Sequence, residues 1–176
     1  VTSPGSLVLN RPDVFTITNL IAGSGSMAHV GPTNLNVTTG GGANTFSGGS
    51  TISNTAVVLV APVTAPVLNG VQQVNSSGLG TGPVTFQGSS TLQLHWADQQ
   101  DPDGGGAGNF ANPINVPAGQ TATFWLPGRF EMSGAVSGLG TINLGVNYVR
   151  GNYSGNWSNF FGTLNVVSNS IYDAAN

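Results

Sequence analysis

The chain contains no cysteine and no lysine, and its only cations are Arg11, Arg129 and Arg150. The lack of cysteine excludes a disulfide framework, a thiolate metal site and a thiol nucleophile. Three arginines cannot neutralise a run of phosphates, so nucleic acid is excluded as a partner. Charged residues make up only 5% of the 176 positions, against roughly 25% in ordinary soluble domains. A net charge of −3, carried by scattered acids, defines no polyanionic function. Long apolar runs are also missing. The longest, "AVVLVAPV" from Ala56 to Val63, is broken by Pro62 and falls far short of the roughly 20 residues that cross a bilayer, so no membrane span is expected. The first residues, "VTSPGSLVLN", carry neither a basic region nor a long apolar stretch, and no signal peptide is visible in them.

What is present is glycine, 27 residues of it, together with a hydrophobic content of 39% that argues against a disordered chain. The length suits a single domain over 1–176. No window of a dozen residues shows an apolar helical stripe free of Gly or Pro. Short alternating segments recur instead: 6–10, 14–18, 33–38, 55–60, 83–87, 90–96, 113–116, 121–126, 129–133, 141–146 and 162–167 read as strands, each bounded by turn-forming residues.

Many short strands suit a sandwich, a barrel or a solenoid, and internal repetition separates these. "FTITNLIAGSGSM" (15–27) aligns without gaps to "FEMSGAVSGLGTI" (130–142), and "NTFSGGS" (44–50) corresponds to "NYSGNWS" (152–158). Region 15–60 thus resembles region 130–167, and strands repeated in order point to a coil. In a β-solenoid the chain climbs about 4.8 Å per turn, so each turn needs a short strand and a sharp corner. Glycine supplies the corners, and Asn can stack in hydrogen-bonded ladders. Charge is scarce because like residues in successive turns lie about 5 Å apart and would repel. With turns of roughly 20 to 25 residues the chain would make about seven or eight of them over about 35 to 40 Å.

Three segments in fixed order, Phe46 to Ile52, Leu79 to Thr85 and Asn112 to Ile114, carry a family resemblance. With the flanking "MSGAVSGLGTINL" they resemble the autotransporter-associated β-strand repeat of large bacterial surface and secreted proteins, over about residues 15 to 167. The resemblance implies an exported, parallel, right-handed β-helix that serves as stalk and scaffold, and it implies no catalytic activity. The chain departs from the repeat at 95–112 and in "GNYSGNWSNFFGTLNV", where specific function would be added. A β-sandwich is the alternative fold.

Candidate sites are few. Asp98, Asp101 and Asp103 precede three glycines and could wrap Ca²⁺, but their spacing is that of no known calcium loop, and an exposed turn explains them better. Asp13, Glu131 and Asp173 are isolated, and Glu131 beside Arg129 reads as a solvated pair rather than half of a polysaccharide-cleaving carboxylate pair. His29 and His95 lack a nucleophile or metal motif and read as surface or rung-facing residues rather than catalytic bases. Trp125, Tyr148, Tyr153, Trp157, Phe160 and Phe161 could stack on sugars, although core filling or a lateral interface is the simpler reading. Sequons at Asn36, Asn75, Asn152 and Asn156 are expected by chance in such a composition.

Neither end of the chain reads as a polar cap, which suits a piece of a longer solenoid or a subunit whose terminal strands pair with those of other copies. The expectation is therefore a non-enzymatic, extracellular or cell-surface structural protein without metal or cofactor. It would form a self-assembling filament or a stalk and have itself as head-to-tail partner. A surface module that binds glycans is the alternative, and a polysaccharide-active enzyme a more distant one.

Overall fold

The computed structural model describes residues 5–11, 16–17, 19–31, 34–35, 38–39, 44–54, 56–61, 67–68, 71–72, 74–75, 77–96, 108–126, 130–146 and 151–168. Their regular secondary structure is β-strand, apart from the single 3-10 turn Ser77–Leu79. Among the described residues no helix is long and apolar enough to cross a membrane.

Three open parallel sheets organise the chain. The first has seven strands in sequence order: β1 (Ser6–Asn10), β3 (Ser26–Val30), β6 (Ser50–Ser53), β11 (Val84–Gln87), β14 (Ile114–Val116), β17 (Val136–Gly138) and β20 (Asn159–Phe160). The second has six: β4 (Asn34–Leu35), β7 (Ala56–Ala61), β12 (Ser89–Trp96), β15 (Thr121–Leu126), β18 (Thr141–Val146) and β21 (Thr163–Ser168). The third has four: β10 (Val74–Asn75), β13 (Gly108–Phe110), β16 (Phe130–Met132) and β19 (Gly151–Asn152). A parallel pair, β2 (Thr16–Ile17) with β5 (Thr38–Thr39), and an antiparallel pair, β8 (Val67–Leu68) with β9 (Val71–Gln72), complete the strands.

From β11 onward the chain visits the sheets in a constant order. β11, β12 and β13 lie in the first, second and third sheets; β14, β15 and β16 repeat the sequence, and β17, β18 and β19 repeat it again. Parallel neighbours cannot be joined by a tight hairpin, and here the other two sheets supply the crossover that a helix supplies elsewhere. Register makes like stand on like: Thr121 pairs with Thr141 and Thr141 with Thr163, while Phe124 pairs with Leu144.

Alternation decides which side of each strand is buried. In β15, Ala122 and Phe124 point inward and are fully buried, while Thr121, Thr123 and Trp125 lie outward and half-buried. The inward residues join one continuous cluster from Ile52 to Leu144, in which Phe86 and Phe124 meet edge to face at 5.2 Å. Leu9, Met27 and Phe46 form a second, smaller cluster. Buried amides close the corners: Asn44 accepts from the Ile21 N–H and donates to the Gly78 carbonyl, both at 2.9 Å. Asn112 Nδ2 likewise donates to the carbonyls of Gly80 and Gly82 at 2.9 and 2.7 Å. Gly138, at φ +116°, packs so closely on the Val116 carbonyl that a Cβ would clash with it.

The three segments that carried the family resemblance stack on one another. Ser50 pairs with Val84 and Val84 with Ile114, so each segment opens a successive strand of the first sheet. The gapless likeness of 15–27 to 130–142 does not translate into equivalent positions. Met27 sits in the first sheet on β3, whereas Ile142 sits in the second on β18.

Candidate functional site

The inward columns of the second sheet run upward through buried residues and end exposed. Ala122 pairs with Ile142, both fully buried, and Ile142 pairs with Leu164, which is 47% exposed. Leu92, Phe124 and Leu144 are buried in register, and the next residue in that column, Val166, is 78% exposed. The chemistry of the column does not change along it; only the cover does. Among the described residues no strand lies beyond β20 or β21.

The other half of this end is closed by aromatic rings. Tyr153, Trp157 and Phe160 pack against the large cluster; Tyr153 meets Trp157 at 6.5 Å and 78°, and Trp157 meets Phe160 at 5.8 Å and 89°. Edge-to-face contacts of this kind suit three rings that must tile one surface. The Tyr153 hydroxyl is buried without a hydrogen-bond partner, and that burial pushes its pKa well above the usual tyrosine value. Phe161, one residue past the trio, is 75% exposed. The end is thus half roofed, and Leu164, Val166 and Phe161 form its unroofed part. At the opposite end, among the described residues, β1 pairs only with β3; on it Leu9 is buried and Leu7 half-buried.

The remaining sequence candidates fall partly outside the described residues, and those within them are spread over several strands. Asp98, Asp101, Asp103, Asp13, Asp173, Arg129, Arg150, Tyr148 and Asn36 lie outside the described residues. Glu131 occupies β16 between Asn109 and Asn152, and His95 occupies β12 opposite Val60. Asn75 falls on β10 in register with Asn109. Asn156 is exposed and its Oδ1 accepts from the Ser158 N–H at 2.9 Å. Among the described residues no three His, Asp or Glu side chains gather as metal ligands would. Among the described residues, Trp125 is the flagged aromatic that lies outward on a sheet face, half-buried.

His29 is the residue that sequence reasoning underrated. It is fully buried on β3, in register with Leu9 on one side and Ile52 on the other, and neither ring nitrogen has a partner. Desolvation holds its pKa down to about 4. The available signal was its alternation with Met27 in "SMAHV", which places both on the inward side. The bridging roles of Asn44 and Asn112 were equally hidden, although both stand two residues before an inward apolar residue, Phe46 and Ile114.

No protein-family model, no curated protein and no solved structure matches the chain.

Proposed function

We propose that the chain is a right-handed parallel β-solenoid and works as an extracellular structural element, joined end to end with further copies into a filament or stalk. The observation that carries the reading is the pair of inward columns left bare at Leu164 and Val166. A buried Leu or Val is worth about 1.5 to 3 kcal/mol over an exposed one, so a strand laid on β21 would be favoured by both the backbone ladder and the column. A contact that joins one end of a copy to the opposite end of the next does not close on itself and therefore propagates. Among the described residues of the next copy, β1 is the edge that would continue the first sheet from β20, with Leu7 and Leu9 in the inward positions, and β4 is the edge that would continue the second sheet from β21. The low charge and the resemblance to autotransporter repeats support a surface location. With seven strands in the first sheet, one copy would add about 34 Å to a filament.

Electron microscopy of the concentrated protein, paired with sedimentation, tests this. The expected result is filaments with an axial spacing of about 4.8 Å, which Leu164→Lys with Val166→Lys abolishes while the circular dichroism stays that of a β-protein. A parent chain that remains monomeric at high concentration, with slow amide exchange in both β1 and β21, would mean that residues of the same chain cover these edges, and the proposal would fall.

A further inference from the structure

The outer face of the second sheet carries three ordered rows. Ser89, Thr121, Thr141 and Thr163 are successive register partners in the first row, and Thr91, Thr123, Asn143 and Asn165 in the second. The second row is hydrogen-bonded along its length: Asn165 Nδ2 donates to Asn143 Oδ1 at 2.9 Å, and Asn143 Nδ2 donates to Thr123 Oγ1 at 3.4 Å. The third row contains Trp125, with Gly145 as its neighbour on the next strand. A Cβ on Gly145 would come within 2.5 Å of the indole Cε3 and 2.8 Å of Cζ3. The absence of a side chain at Gly145 leaves room for the Cε3–Cζ3 edge of the indole over the adjoining strand.

We propose that this face binds an extended, uncharged β-1,4-linked polysaccharide running across the strands, with Trp125 as the stacking platform and Thr123, Asn143 and Asn165 as hydrogen-bonding partners. Four properties of the face favour that occupant over others. An outward, half-buried indole can stack on the apolar face of a sugar ring, which is how aromatic residues commonly serve polar ligands. The internal ladder uses one N–H and one acceptor site of Asn143, leaving one N–H and further acceptor capacity, already oriented, for sugar hydroxyls. Successive strands lie about 4.8 Å apart, close to the advance of one hexose along an extended β-1,4 chain, so each strand meets one sugar. Every residue of the three rows on β12, β15, β18 and β21 is uncharged, which matches a neutral polymer and offers an anionic one no cation. Tyr153, Trp157 and Phe160 take no part, because they pack on the end of the core. The strip lies on a side of the molecule, so it is independent of end-to-end joining and would recur once per copy in a filament, because β7 places Ala56 and Val58 in its rows.

Titration calorimetry with cellohexaose and chitohexaose, alongside adsorption to microcrystalline cellulose, tests the strip. The expected result is binding of at least one β-1,4 probe, with no binding of maltohexaose, whose chain coils, or of polygalacturonate, which is anionic. Trp125→Ala should weaken association at least tenfold. Asn165→Ala, at an exposed position, should weaken it several-fold with an unchanged melting temperature. Should Trp125→Ala not fold, N-bromosuccinimide oxidation of the parent, read by peptide mass spectrometry, decides: bound oligosaccharide must protect Trp125. Absence of binding to both β-1,4 probes, equal binding of all four glycans, or no protection of Trp125 overturns the proposal.

Discussion

The two apolar clusters share the first sheet, the larger one also drawing on the second and third, and they are filled differently. In the larger one, column members are alike: Leu92, Phe124 and Leu144 stand in register, and so do Ala122 and Ile142. In the smaller one the columns are mixed. Leu7 pairs with Met27 and Met27 with Ser50, while Leu9 and Ile52 enclose the unpartnered His29. A small apolar cavity of about 20 Å³ lies beside Leu7, Ile21, Met27 and Phe46. The backbone register continues unbroken across this change. Ladder hydrogen bonds thus set the order of strands, and the side chains between them set how strongly each part is held.

That contrast can be broken by measurement. The largest effect is expected from Phe124→Ala, which removes a fully buried ring in contact with Phe86 and should cost about 3–5 kcal/mol in urea unfolding. Phe46→Ala, beside an existing cavity, should cost clearly less; equal losses would mean that the clusters are equally well packed.

Acid should act next, and only on the smaller cluster. The pKa of His29 in the folded chain is about 4 against 6.5 when unfolded. The unfolded chain therefore binds the proton first as pH falls, and stability that is complete above pH 6.5 is lost progressively down to pH 4. The total comes to about 3 kcal/mol. Amide exchange should accelerate in β1, β3 and β6 and stay slow in β15 and β18, and His29→Leu should remove the dependence. Uniform acceleration would sink the assignment to His29.

Asn112→Ala strips two buried carbonyls of their donor and should cost about 1–3 kcal/mol. Asn44→Ala should cost a similar amount, because the corners are tied in the same way in both halves even though the cores differ. The smallest effect belongs to Asn165→Ala, an exposed ladder residue whose loss should stay below about 1 kcal/mol in the same unfolding assay.

Legibility in the sequence followed the same line between local and non-local causes. "SLVLN", "TATFWL" and "TINLGV" alternate cleanly and were bounded as β1, β15 and β18. "SMAHV", "STIS" and "VSG" were not read as strands, because Ser, Gly and a histidine blur the period of two in segments that long-range pairing alone makes extended. Which sheet a strand joins depends on partners 20 or more residues away, and that is why a gapless alignment matched Met27 to Ile142 across two different sheets. The aromatics near the end of the chain were visible as candidates. Only coordinates separate rings that seal a core, such as Trp157, from one that lies outward, Trp125.

The near-constant advance of the later strands, 20 to 22 residues from a strand to its partner, has a genetic consequence. Ile114 pairs with Val136 and Ser137 with Asn159, the same 22-residue step twice over. A duplication or deletion of one whole step would leave each remaining strand facing a neighbour of the same kind, whereas a change of a few residues inside a strand would throw the whole column out of phase. Recombination between such near-equal stretches of a gene would then alter the length of the protein in whole increments without requiring any new contact to evolve.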